Sequence, residues 1–384
     1  MQTHHAGGDD LCDKAPTMRP DAQQARYFNR LAKNFVTQLN NDIPHKDLIE
    51  RMLASVLRMS GDARRTDLKL TTASLEEMEH SFDVLEEHSL SRKAVLFGSA
   101  RSAPDDPVYI QAREFSRRIV EEGYMVITGA GPGVMAAGNE GAGRENSFGM
   151  GIALPFETDA NEFIIDDPKM IMFKYFFTRK LAFLKDSHAV ILCPGGFGTL
   201  DEGFEVLTLI QTGKAQLLPV VFLQPPGYDY WEHLTGYVEN ALLEKGMISP
   251  ADQHLYLITD SVDEACREVV KFYRRYHSMR FEGEDLFLRL SEPLPEGMLE
   301  ALNQEFGDLL VAGKIEATEC PPDPSIDPNM KCLPHLKLRF DLAAYGRLRL
   351  MIDRINEPET TQAPPPPEKG EGGRMPVETD TETD

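Results

Sequence analysis

Pro194-Gly195-Gly196-Phe197-Gly198-Thr199-Leu200-Asp201-Glu202 follows closely on Ala189-Val190-Ile191-Leu192. The apolar run has the character of a buried parallel strand, covered on both faces and so free of alternation. Beyond the glycines, Phe204, Leu207, Leu209 and Ile210 fall close to helical spacing, so the stretch reads as strand, glycine turn and helix. The glycines let main chain approach a ligand closely, and the unpaired N–H groups of a helix start suit an anion such as phosphate. Thr199 is expected to cap this helix and bond a phosphate oxygen, with Glu202 on the first turn. A carboxylate next to an anion site needs a reason, and chemistry on the bound molecule supplies one. The same pair also satisfies a capping box, Thr199 as N-cap and Glu202 as its partner, which requires no ligand.

Working outward, the pattern of strand and helix repeats at short spacing. Ala94–Phe97 reads as a strand ending in Gly98-Ser99, and Tyr124–Thr128 as a second ending in Gly129-Ala130-Gly131-Pro132-Gly133. Further strands are expected at 148–154, 217–223 and 255–258, with helices at 107–122, 173–185, 229–244 and 263–276. This alternation predicts a doubly wound, Rossmann-like parallel sheet over residues 91–278, with ligands at the carboxyl ends of the strands. Residues 21–90 read as a helical extension. Its first helix opens at a capping box from Asp21, its second lies around Leu48–Met59, and its third begins at Ser74-x-x-Glu77. Residues 279–356 read as a small α+β appendage: a strand at Asp285–Leu290, a helix at Pro295–Leu310, a strand at Leu336–Phe340 and a closing helix at 343–355. Residues 1–20 and the Pro- and acid-rich stretch 357–384 lack the apolar content of a core and are expected to be disordered.

Composition narrows the function. A formal charge of −22 over 384 residues opposes tight binding to nucleic acid or an anionic membrane. No apolar run approaches the ~20 residues of a membrane span, and the first ten residues have neither the basic nor the apolar part of a secretory signal. Five scattered cysteines (Cys12, Cys193, Cys266, Cys320, Cys332) without C-x-x-C spacing point to reduced thiols rather than a disulfide frame or zinc site, and so to a cytoplasmic protein.

Three glycine turns at one sheet edge point to a nucleotide-sized ligand across the switch point. The second turn fails the dinucleotide register, because Val134 stands where G-x-G-x-x-G needs its third glycine, and no Walker motif is present. Arg179-Lys180 lies on the helix preceding the central strand. Arg179 can clamp a phosphate or ribose with a forked contact that lysine does not reproduce; a solvated basic pair on a helix surface is the other reading.

Phe177-Thr178-Arg179-Lys180 followed by Pro194–Glu202 resembles the paired signature of the LOG ("lonely guy") family. Gly98-Ser99 and Gly129–Met135 resemble its two earlier turns, and Pro226–Trp231 running on to Glu244–Ile248 resembles its late helix. The resemblance covers roughly residues 90–275. It implies a nucleoside 5′-monophosphate phosphoribohydrolase, although members were long labelled lysine decarboxylases. The flanking regions resemble the longer bacterial members, among which are purine/pyrimidine nucleotide nucleosidases. Carried onto this chain, the resemblance implies Glu202 and Arg179 as catalytic residues. Contacts to substrate would come from Gly98, Ser99, Gly129, Gly131, Gly133, Met135, Lys180, Gly195, Gly196, Phe197, Gly198, Thr199 and Asp201. It implies no metal and no cofactor, a nucleotide as small-molecule partner, and a homodimer or larger homo-oligomer. Cytokinin riboside 5′-monophosphate hydrolysis and non-catalytic nucleotide sensing are the alternatives. Decarboxylation would need pyridoxal phosphate on a Schiff-base lysine, and Lys180 beside Arg179 is too little to propose one.

Overall fold

The computed structural model describes residues 22–39, 45–61, 63–154, 160–318 and 333–358. The expected disorder at both ends, the capping residue Asp21, and Cys12, Cys320 and Cys332 lie outside these residues; Cys193 and Cys266 are buried free thiols.

The chain opens with three helices, α1 (Ala22–Leu39), α2 (Lys46–Met59) and α3 (Arg65–Glu86). The third starts well before the Ser74 capping box. Ser74 is buried inside the helix, its hydroxyl donating back to the Leu70 carbonyl, as mid-helix serines do. The α/β part then runs β1 (Lys93–Phe97), α4 (Pro107–Glu121), β2 (Met125–Thr128), α5 (Val134–Ala142), β3 (Ser147–Ile152), β4 (Met170–Phe173), α6 (Phe176–Lys185), β5 (Ala189–Leu192), α7 (Phe197–Gln211), β6 (Val220–Leu223), α8 (Tyr230–Tyr237), β7 (Leu257–Thr259) and α9 (Val262–Phe272). Strand β4 lies just before the helix expected at 173–185 and shares only Phe173 with it. The helix expected at 229–244 is α-helical only to Tyr237 and widens into a π-turn over Val238–Leu243.

The seven strands form one parallel sheet in the order β4-β3-β2-β1-β5-β6-β7. Helices cover both faces, which is why β1, β2, β5 and β6 are buried throughout their length. One face packs under α4, α5 and α9 through Val108, Phe115, Val134 and Val269. The other packs under α3, α6, α7 and α8 through Leu85, Phe183, Val206, Ile210 and Trp231. The chain leaves β1 toward β2 on one side and returns to place β5 on the other. The β1/β5 boundary is therefore the switch point, where a crevice opens beyond the carboxyl ends.

The rest is a second, antiparallel sheet in the order β10-β11-β9-β8, from β8 (Tyr276–Glu282), β9 (Asp285–Leu290), β10 (Leu310–Thr318) and β11 (His335–Phe340), with α10 (Met298–Glu305) and α11 (Tyr345–Ile355). Apart from Tyr276 and Leu310, which end expected helices, strands β8 and β10 stand where no element was expected. The appendage shares the core of the main sheet: Leu286, Leu288, Leu348 and Ile352 belong to the same buried cluster as Val190 and Ile210. Tyr345 reaches the loop after α7, where any side chain at Gly213 would strike its ring.

Candidate active site

The turns after β1, β2 and β5 are the floor of a cleft of about 1510 Å³. Main-chain bonds tie them in series. The Val134 N–H donates to the Ser99 carbonyl (2.9 Å), and the Ser99 N–H donates to the Pro194 carbonyl (3.1 Å). Gly133 makes this possible: its φ is +68°, and a Cβ there would lie 2.2 Å from the Ser99 oxygen. The middle turn also holds Ala130 at φ +63°, an uncommon conformation for a residue with a side chain. It is stabilised by Asn161, whose side-chain amide donates to the Ala130 and Gly131 carbonyls (both 3.1 Å) and whose N–H donates to Ala130 (2.8 Å).

The third turn leads into α7, with Gly196 at the N-cap making no side-chain cap bond. Thr199 is thus the third residue of the helix rather than its cap, and Glu202 lies on the second turn, so the capping-box reading of this pair does not hold. Thr199 is buried against Gly195, where a Cβ would meet its hydroxyl at 2.1 Å. Gly196 and Gly198 instead face open space. Among the described residues, the N–H groups of Phe197 and Gly198 have no acceptor. The helix start therefore offers free donors and the positive end of a dipole to the cleft. The Tyr230 hydroxyl fixes the loop from below by donating to the Gly195 carbonyl (2.6 Å).

Helix α6 brings the basic pair to the same place and treats its members differently. Lys180 Nζ lies 2.7 Å from Glu205, 2.9 Å from Asp201 and 3.2 Å from Glu202, in charge pairs rather than aligned hydrogen bonds. Burial alone would lower its pKa, but the three carboxylates outweigh burial and raise it. Arg179 forms no ion pair among the described residues, and its Nε is buried without a partner. Its guanidinium sits over the rings of Phe176 (5.1 Å) and Phe183 (5.4 Å). Nη1 comes within 3.9 Å of where a Gly129 Cβ would be. Burial lowers the Arg179 pKa, against the opposing charge of Glu202. Glu202 is 5% exposed; burial pushes its carboxyl above the usual range, with Lys180 and Arg179 pulling the other way.

The cleft is lined by Gly98, Ser99, Gly129, Gly131, Met135, Arg179, Gly195, Gly196, Phe197, Gly198, Thr199, Asp201 and Glu202. Gly133 and Lys180 do not line it. Gly133 is the hinge between two turns, and Lys180 stands behind the carboxylates. Asn161 and Tyr228, which also line the cleft, were not singled out as site residues, nor was Tyr230 beneath the loop. Tyr228 and Tyr230 lie in the segment that resembles the late helix; Asn161 stands in a connection without a motif. No group of three or more His, Cys, Asp or Glu suited to a metal occurs among the described residues, and none of their helices is long and apolar enough to cross a membrane.

Residues 134–269 match the family described as possible lysine decarboxylase, a span that holds both Arg179 and Glu202. A cytokinin riboside 5′-monophosphate phosphoribohydrolase of Arabidopsis thaliana is 34% identical over 101 residues, 26% of this chain and 46% of that protein. The central domain is thus similar to proteins of the LOG family. A second cytokinin riboside 5′-monophosphate phosphoribohydrolase, from Mycobacterium tuberculosis, is 33% identical over 111 residues, 28% of this chain and 52% of that protein. A pyrimidine/purine nucleotide 5′-monophosphate nucleosidase of Escherichia coli is 27% identical over 180 residues, 42% of this chain and 37% of that one. The chain thus spans about half or less of the length of these curated relatives.

Proposed function

We propose that the cleft hydrolyses the N-glycosidic bond of nucleoside 5′-monophosphates, giving the free base and ribose 5-phosphate. The observation that carries this reading is a buried carboxylate, Glu202, two turns into a helix whose open start can hold a phosphate. Breaking the bond builds positive charge on C1′ and the ring oxygen, and an ionised Glu202 stabilises that charge or orients the attacking water. Water supplies the oxygen that ends on C1′, and its proton balances the departing base. The free N–H groups of Phe197 and Gly198 and the turn from Gly195 hold the 5′-phosphate, whose binding energy positions the sugar. Arg179, unpaired and facing the cleft, contacts the substrate and assists departure of the base. Lys180 keeps the neighbouring carboxylates in place. The relatives' names support this chemistry, with the nucleosidase alignment the longest of the three and the cytokinin-enzyme alignments the higher in identity.

The decarboxylase label does not fit these residues. A Schiff-base lysine must lose its proton to attack an aldehyde, whereas Lys180 is held charged by three carboxylates. Substrate choice is tested by assaying ribose 5-phosphate from AMP, GMP, CMP, UMP and N6-isopentenyl AMP, with adenosine as the phosphate-free control. Release from monophosphates and at least a hundredfold less from adenosine is expected. Equal turnover of adenosine, or no release from any compound, would contradict the reading. Preference for the isopentenyl compound over AMP would make the protein a cytokinin-activating enzyme.

A further inference from the structure

Helix α6 carries Arg179 yet lacks the usual means of fixing its own start. Tyr175 at the N-cap makes no side-chain bond, and the first turn contains no acidic residue. The missing acid arrives from a distant part of the chain. Glu77, in the middle of α3, accepts the Lys174 N–H at 2.9 Å through Oε1 and the Thr178 hydroxyl at 2.5 Å through Oε2. Thr178 is fully buried and directly precedes Arg179. A carboxylate at this end of a helix also meets the positive end of its dipole. Farther along, Phe82 of α3 lies beneath Lys185 in the last turn of α6, with the ammonium 4.7 Å from the ring centre. Helix α3 therefore grips α6 near both ends, while Leu85 fixes α3 itself in the main core.

We infer that Glu77 is a positioning residue: it holds the start of α6 so that Arg179 faces the cleft. This makes the third helix of the N-terminal extension a working part of the site. The consequence for rate rests on the nucleosidase reading above; the consequence for α6 does not. Glu77 acts on both an N–H and a hydroxyl donor, so glutamine, which keeps one oxygen, is expected to preserve part of the effect and alanine none.

Hydrogen exchange of the full chain without substrate tests the structural half. In Glu77→Ala the peptide spanning residues 174–181 should exchange at least tenfold faster, with Glu77→Gln between it and the parent, while α4 and α5 are unchanged. Unchanged exchange in α6 would overturn the inference. So would uniform acceleration across the chain, which would make Glu77 a general stabiliser. Glu77→Gln, which keeps the shape of the side chain, carries the same test if the alanine variant does not fold. The functional half is a double-mutant cycle on ribose 5-phosphate release from AMP. Glu77→Ala should lower kcat about tenfold in the parent but change it less than twofold in Arg179→Ala. Multiplying losses in the double variant would overturn a role through Arg179. A parent that releases nothing from AMP would sink the nucleosidase reading, while the exchange experiment still decides the place of Glu77.

Discussion

The glycine turns and the helix bearing Arg179 meet in one cleft but are held there in opposite ways. The turns after β1, β2 and β5 are joined by main-chain hydrogen bonds running from Val134 to Ser99 and from Ser99 to Pro194. Helix α6 is held by side chains from elsewhere: Glu77 at its start, and Asp201, Glu202 and Glu205 of α7 around Lys180. The glycine-turn half of the cleft is thus built from backbone shape, and its side chains matter mainly through what must be absent. The charged half depends on side chains drawn from separate elements, each altering the ionisation of the next.

Glycine substitutions divide the first half most sharply. Gly133→Ala should destabilise the fold by about 3 kcal/mol or more, since it combines an unfavourable φ with a clash against main chain. Gly196→Ala has an ordinary φ and open space around it. It should leave the denaturation midpoint nearly unchanged and raise KM for AMP about tenfold by filling the anion cradle. An unaltered KM there would remove the cradle from the account, and a well-folded Gly133→Ala would remove the tie between turns.

A smaller effect is expected in the charged half. Glu202 has a raised pKa because burial disfavours its charged form, and Lys180 opposes that rise. Lys180→Met should push the Glu202 pKa higher still. On the proposed mechanism the rate requires ionised Glu202, so it should fall as pH drops through this pKa, and the acid limb of the kcat profile should move to higher pH in the variant. At pH 6 the loss should be several-fold and should shrink at pH 8. A profile of unchanged shape would show that Lys180 does not govern Glu202.

The same division marks what could be read from sequence. Strands β1, β2 and β5 were legible because buried parallel strands are short, continuous apolar runs, and Gly98, Gly129 and Gly195 punctuate them within a few residues. Strand β4 was not: Met170-Ile171-Met172-Phe173 abuts a helix, and methionine marks neither period. Strand β8, which begins where the expected helix ends at Tyr276, was missed because Tyr276, Met279 and Phe281 neither form a continuous apolar run nor alternate regularly. The Lys180 cluster and Glu77 were hidden for a different reason. Ion pairs and caps made across many residues leave no local pattern, so a capping box was read at Ser74-x-x-Glu77 where the glutamate serves another helix. Thr199 and Glu202 invited the same error, since cap spacing recurs inside helices.

Glu202→Gln assayed on AMP is the most direct test of the proposed role of this carboxylate. It keeps the shape of the side chain and removes the charge. Burial already favours the neutral form of this carboxyl, so the melting temperature at pH 7 should stay level or rise. In this variant kcat should fall by about a hundredfold to ten-thousandfold while AMP still binds with similar affinity. A variant that releases ribose 5-phosphate at the parent's rate would contradict it.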